Sequence, residues 1–392
     1  MSHQKERQKP PFRFDIVGSF LRPEALKKAR AAFLMGHMDA QALAAVEDAA
    51  IIDLVNRQKA VGLKVLTDGE FRRSWWHLDF FWGLNGVEKS SLGHGYQFHG
   101  ESTRPETASI KGRISGSSHP FVRHFEFLNK LADDNHIARQ TIPAPAQFWA
   151  ELQRPENKAG ILAVYSSEAE AKADIVKAYR TVVMDLYQAG CRNIQMDDCT
   201  WGMLADARFR DALGTAPVAP SCACHAHDGE IPPVAVADIL AQEYYELNNA
   251  VLENLPSDLI MTTHVCRGNY HSTWASSGGY ETVAPYLFAH EDVSAFYLEY
   301  DTERAGDFSP LRYVPEGKMV VLGLFSSKSG DLEDRKEILN RIEEARQYVP
   351  LERLCISPQC GFASTEEGNI LTEAQQWAKL ALIRDIAEEV WA

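Results

Sequence analysis

An imidazole and a thiol two residues apart, His264 and Cys266, close an apolar run that reads as a β-strand. Residues two apart in extended backbone share a face, so both side chains can converge on one ion. A carboxylate, Glu299, ends a second such run. A further thiol, Cys360, lies in Pro358-Gln359-Cys360-Gly361 after a third run. Taken singly, a cysteine at a strand end is more often a small buried side chain than a ligand. Four donors at the ends of three strands shift that balance. One imidazole, two thiolates and one carboxylate make a four-coordinate shell suited to zinc. Structural zinc sites use tight pairs such as C-x-x-C, whereas ligands spread over three strands point to a reactive centre. Such a centre can activate a thiol. A free thiol has a pKa of roughly 8.5 and is a poor nucleophile at neutral pH, and zinc keeps it deprotonated.

The elements that must position these residues alternate regularly. Short β-branched runs occur near Phe14–Val17, Lys64–Thr67, Arg139–Ile142, Asn193–Met196, Leu259–Thr263, Ala295–Leu298, Met319–Leu324 and Arg353–Ile356. Amphipathic helices are expected between them: Glu24–Phe33 behind Pro23, Gln41–Val61 ended by Gly62, and Glu168–Ala189 capped by Ser167 and followed by Gly190. Pro232-Pro233 opens Val234–Leu255, Asp331 can cap Leu332–Tyr348, and Thr372 can cap Glu373–Trp391. Alternation of this kind signals a parallel α/β architecture, and eight strands are the number that closes a (β/α)8 TIM barrel. Catalytic groups then belong at the C-terminal ends of the strands. Two segments break the alternation. Residues 72–123 read as a β-rich insertion after strand two, able to cover the barrel mouth. Leu204–Pro233 reads as a long loop with a short helix.

The 392 residues carry a net charge of −14, a surface that repels phosphate backbones, so no nucleic-acid partner is expected. No apolar run reaches the length of a membrane span, and Met1–Phe12 lacks the apolar core of a secretory signal. The seven cysteines are an odd number in a chain of this size, which fits free thiols in a reducing, cytoplasmic setting.

With these residues in place, the chain resembles the catalytic C-terminal half of cobalamin-independent methionine synthase. It is more similar still to the short single-barrel bacterial relatives of that enzyme. The resemblance runs from Asp15-Ile16-Val17-Gly18-Ser19-Phe20 to the last helix. His264, Cys266, Glu299 and Cys360 match the family's zinc motif in order, and the Glu299-to-Cys360 spacing matches as well. The resemblance implies that the turn at Val17, Gly18 and Ser19 binds the carboxylate of homocysteine. It implies that Glu70 and Asp197 hold the substrate ammonium group, and that Trp149 stacks on a folate pterin. It also implies Zn2+ as cofactor and methyl transfer to homocysteine, giving methionine. Glu299, the weakest-held ligand by type, is expected to give way when substrate sulfur arrives.

One departure bears on the methyl donor. The family carries a His followed by Ser near the end of strand seven, which helps protonate the departing folate nitrogen. Here that place is Phe325-Ser326. A folate amine is a poor leaving group without a proton. Either another acid such as His77 or Asp198 replaces it, or the donor is more activated, such as a methylcorrinoid protein or a sulfonium. An epoxyalkane:coenzyme M transferase-like activity is the enzyme alternative, although coenzyme M has no ammonium group for Glu70 and Asp197. A non-catalytic zinc- or thiol-binding sensor is the alternative outside catalysis, and a homodimer is left open. Cys222, Cys224, His225 and His227 form a further cluster that can be a second metal site or simple loop crowding. Trp75–Trp82 is read as a lid or a local core, and Arg72, Arg73 and Arg267 as groups for an anionic donor or as ion pairs.

Overall fold

The computed structural model describes residues 7–216 and 234–391. Its strands are β1 (Val65–Leu66), β2 (Asn85–Ser91), β3 (Glu106–Ser115), β4 (Ile137–Ala138), β5 (Gln140–Pro143) and β6 (Asn193–Asp198). They continue with β7 (Thr215–Ala216), β8 (Val234–Ala235), β9 (Ile260–Val265), β10 (Ala295–Glu299), β11 (Met319–Phe325) and β12 (Leu354–Pro358). Six of these form one parallel sheet in the order β12-β11-β10-β9-β6-β5. β4 leads into β5 and pairs in parallel with β1, and an isolated parallel bridge joins Phe14 to Ile356 in β12. The α/β class and the parallel strand order are those expected from the sequence.

The expected first strand is held differently from the rest. Beyond the bridge at Phe14, side chains rather than a ladder satisfy its carbonyls. Arg139 donates to Ile16 O at 2.7 Å, Gln195 to Val17 O at 2.5 Å and Thr67 to Gly18 O at 2.6 Å. Asp15 in turn accepts from the backbone N–H groups of Phe12 and Ile16. Buried backbone groups need partners, and here the partners come from neighbouring strands.

Alternate residues of the strands face opposite ways. Phe296, Leu298, Val320 and Leu322 join the main core beneath the helices. Ala295, Tyr297, Met319, Val321 and Cys355 form a second, smaller cluster on the other face. Glu299 shares the face of Ala295 and Tyr297. The helices follow the capping signals. Glu168–Gln188 starts at Ser167, whose hydroxyl accepts from the Glu170 N–H, and it buries Ala171, Ile175, Ala178, Val182 and Leu186 as one stripe. The helix Arg335–Ala345 starts later than expected because Asp334, not Asp331, provides the cap. The helix Val236–Leu252 begins two residues late, behind β8.

Residues 72–123 contain a short helix, Leu78–Gly83, and an antiparallel hairpin of β2 and β3. Its first strand, Asn-Gly-Val-Glu-Lys-Ser-Ser, is polar on both faces and carries no alternation to read. The hairpin packs on the helices Pro155–Val164 and Glu168–Gln188. The long loop after β6 carries two short helices, Thr200–Ala205 and Ala207–Leu213. Cys222, Cys224, His225 and His227 lie outside the described residues. No helix among the described residues is long and apolar enough to cross a membrane.

Candidate metal centre

His264 is the next-to-last residue of β9, and Cys266 follows the strand on the same face. Cys360 sits in the turn that leaves β12. Ligand atoms of these three buried residues lie within 4.8 Å of one another. The Cys266 and Cys360 sulfurs are 3.8 Å apart, and the Gly268 N–H donates to Cys266 Sγ at 3.3 Å. Two soft thiols and an imidazole, fully or almost fully buried and mutually in reach, fit zinc by donor chemistry. Among the expected four ligands, these three converge.

Glu299 does not join them in this arrangement. Its Oε1 accepts from the Arg267 N–H at 2.9 Å, and its Oε2 stands 3.6 Å from the Arg304 guanidinium. Burial acts to raise its pKa, but Lys328, Arg304 and His264 together bring it below the ordinary value, so the carboxylate stays ionised. The sequence motif identifies the residue; its rotamer is set by the backbone amide that follows Cys266.

The His264 ring is held at both nitrogens. Nδ1 meets Asp197 Oδ1 at 2.5 Å, and Nε2 faces the Gln359 carbonyl at 3.0 Å. Burial works against the charged ring, yet the Asp197 charge and hydrogen bond lift its pKa to about 10. A carboxylate on one ring nitrogen fixes the ring's orientation and leaves the other for an ion, which here requires Nε2 to give up the Gln359 carbonyl. Asp197, expected to touch a substrate ammonium group, therefore first of all orients His264.

A small cleft beside the thiols gathers the other expected residues. Val17, Ser19, Glu70 and Asp197 line it together with Cys266 and Cys360. Gly18 adopts φ 150°, and an added Cβ would meet Thr141 Cγ2 at 2.7 Å, so only glycine lets the turn pass. Gly361 is equally constrained, because an added Cβ would lie 1.9 Å from Ser19 Oγ. The turn at Ser19 and the Cys360 turn thus touch side chain to backbone. Glu70 accepts from Thr141 at 2.8 Å and pairs with Arg73 at 3.2 Å, while its Oε2 is buried with no hydrogen-bond partner among the described residues. Burial is the main cause of its raised pKa, opposed by Arg73 and reinforced by Asp197. Two carboxyl groups that feel each other across a cleft are a fitting seat for an ammonium group.

A larger cavity of about 440 Å³ opens onto Cys266. Trp75, Trp76, His77, Tyr96 and Tyr270 form much of its wall. Trp149 is not part of that wall. It is 1% exposed inside the core, with Lys172 over its outer ring face, so the expected pterin-stacking role has no support in this geometry. Phe325 is also core. Asp198 caps Thr200 and bonds Asn248, so it is not free to act as an acid. His77 does line the cavity, bonded through Nε2 to Tyr96, which donates to Glu151. Burial lowers its pKa to about 3, so it stays neutral. Arg72 pairs with Glu47 and Asp48, so it is not free at the cavity, whereas Arg267 lines the cavity, lies over the Tyr280 ring and has no hydrogen-bond partner for its guanidinium nitrogens among the described residues. Cys199, Tyr96 and the Gln359 carbonyl were not singled out by sequence. Only Cys199 had a signal, as a thiol directly after the strand-end pair Asp197-Asp198.

Comparison with known proteins agrees with this picture. The family model described as "Cobalamin-independent synthase, Catalytic domain" matches residues 261–389, which include the four motif residues. YxjG of Bacillus subtilis, an uncharacterised protein, is 42% identical over 393 positions, covering 98% of this chain and 96% of that one. YxjH of the same organism is 41% identical over 391 positions, covering 99% and 97%. A crystal structure described as a putative vitamin-B12-independent methionine synthase from Listeria monocytogenes matches with a TM-score of 0.73 at 36% identity. It covers 98% of this chain and 100% of that one. A B12-independent methionine synthase from Shewanella, solved with selenomethionine, has the same fold at TM-score 0.69 and 18% identity, covering 96% of each chain. With near-full-length matches to these relatives and three of the four motif residues gathered at one strand-end site, the chain belongs to the cobalamin-independent methionine synthase family.

Proposed function

We propose that this protein is a zinc-dependent S-methyltransferase that activates the thiol of homocysteine and forms methionine. The observation that carries the reading is the convergence of His264, Cys266 and Cys360 within 4.8 Å, beside a cleft walled by Glu70 and Asp197. When bound there, zinc lowers the pKa of a ligating thiol and holds it as a thiolate. The chain's own residues do the rest. Asp197 orients His264, and Glu70 offers its unpartnered Oε2 to the substrate ammonium group. The turn at Val17, Gly18 and Ser19 bounds the opposite side of the cleft, where the substrate carboxylate is placed.

The donor enters through the 440 Å³ cavity, whose wall includes Cys266. Phe325 carries no ionisable group and His77 is held neutral, so neither supplies a proton to a departing nitrogen. This favours a donor whose leaving group needs no proton, such as a methylcorrinoid or a sulfonium. The chain works as one unit, with residues 72–123 as cover over the site, since Trp75, Trp76 and Tyr96 of that segment wall the cavity. The test is a donor panel. Zinc-loaded protein is incubated with homocysteine and, separately, methyltetrahydrofolate, a methylcorrinoid and S-methylmethionine. Methionine formation supports the reading. Its absence with every donor, together with tight homocysteine binding, contradicts the enzyme and favours a sensor.

A further inference from the structure

Arg267 is a buried cation whose charge the fold leaves unmatched. It is 0% exposed and lines the 440 Å³ cavity beside Cys266. None of its three guanidinium nitrogens has a hydrogen-bond partner among the described residues. Two other buried guanidinium groups are served differently: Arg139 pairs with Asp15 at 2.8 Å and Arg73 with Glu70 at 3.2 Å. Taking a charge out of water is costly unless a counter-charge and hydrogen bonds replace the lost hydration.

The groups around Arg267 do not replace it. Its guanidinium carbon lies 4.4 Å from the Tyr280 ring centroid, a contact that supplies no acceptor. The Tyr280 hydroxyl is close enough to feel the guanidinium, but it is neutral and donates to the Glu299 carbonyl at 3.2 Å. Glu299 takes the backbone N–H of Arg267 on Oε1 and turns Oε2 to Arg304 at 3.6 Å. The Arg267 carbonyl accepts from Ala275 at 2.9 Å and Ser276 at 3.0 Å, so the backbone is fixed and only the long side chain can move. Arg154, another guanidinium on the cavity wall, is already paired with Glu151 at 3.3 Å. The remaining wall is largely aromatic, with Trp75, Trp76, Tyr96 and Tyr270, and ring faces attract a methyl-bearing cation. A cavity of this size takes a small molecule.

We infer that Arg267 binds the carboxylate of the methyl donor, and that the donor is a small sulfonium carboxylate seated in this cavity. The anion draws the guanidinium off the Tyr280 face into a paired, hydrogen-bonded state. This rests on the methyl transfer proposed above and names its donor class. The thiol proton leaves as the substrate thiolate forms. The thiolate sulfur then bonds the methyl carbon while the methyl–sulfonium bond breaks. Its electron pair stays on the donor sulfur, which departs as a neutral thioether without needing a proton.

The test is calorimetric binding to the zinc-loaded full chain, with 3-dimethylsulfoniopropionate and its uncharged carboxamide as probes. The acid should bind about tenfold to a hundredfold more tightly than the amide, the range of a hydrogen bond to a charged group. Arg267→Met should abolish that preference and leave amide binding unchanged. Where Arg267→Met does not fold, Arg267→Gln carries the same comparison. Equal binding of acid and amide, no binding of either, or a preference that survives in the folded variant would each overturn the inference and leave methyl transfer from another donor standing. Acid-selective, Arg267-dependent binding without methionine formation would keep the carboxylate site and overturn the methyl-transfer reading.

Discussion

At the scale of the residue, the proposed function separates groups that would hold an ion from groups that would hold a substrate. Asp197 belongs to the first set through its 2.5 Å contact with His264. Asp197→Asn removes the charge that orients the ring, and zinc affinity should drop about 10- to 100-fold, measured by dye competition. Glu70 belongs to the second set, with one buried oxygen unpaired. Glu70→Gln should leave zinc content unchanged and raise the KM for homocysteine roughly tenfold to a hundredfold, since a hydrogen bond to a charged group is worth about 1.5–3 kcal/mol. An unchanged KM would remove Glu70 from the substrate seat. His264, Cys266 and Cys360 were legible in the sequence because residue type and strand-end position coincide. Trp149 was not, because an aromatic at a matching position carries no sign of whether its ring faces a cavity or the core. Cys199 had only its place after Asp197-Asp198 as a signal, and the fold brings it to the cavity that Cys266 also lines.

At the scale of the element, turns decide whether the ligands meet. Gly361 passes so close to Ser19 that a methyl group would displace the Cys360 turn. Gly361→Ala should destabilise the protein by about 1–3 kcal/mol through overpacking and weaken zinc binding as well, by chemical denaturation and dye competition. A second prediction concerns the segment from residue 72 to 129. Burial lowers the pKa of His77 to about 3 and of His119 and His124 to about 4. Each folded value lies below the 6.5 of the free side chain, so this stability is fully present above pH 6.5 and is lost as pH falls from there toward 4. Thermal unfolding of the metal-free protein should show a falling Tm across that window, and His119→Gln should flatten it. Seven of the eight expected strands were readable from β-branched runs to within a few residues. The first was placed correctly but reduced to a bridge, because Arg139, Gln195 and Thr67 take over its carbonyls. Long-range side-chain bonds of that kind leave no local pattern. The polar β2 strand was missed because neither of its faces is consistently buried.

At the scale of the whole molecule, the site ties distant parts of the chain to one point. Its candidate ligands come from the end of β9 and the β12 turn, the carboxylate on His264 from β6, and the turn at Val17 and Ser19 from the N-terminal segment. A ligand that binds only the folded state adds about 2.7 kcal/mol at a hundredfold excess over its Kd. Zinc should therefore raise the Tm of the full chain, and a chelator should lower it. The most direct check is metal content per chain in the wild type and in His264→Ala, Cys266→Ser and Cys360→Ser. The account predicts one zinc per wild-type chain and its loss or marked weakening in each variant, with the fold retained. A folded Cys360→Ser protein that keeps stoichiometric, equally tight zinc would contradict it.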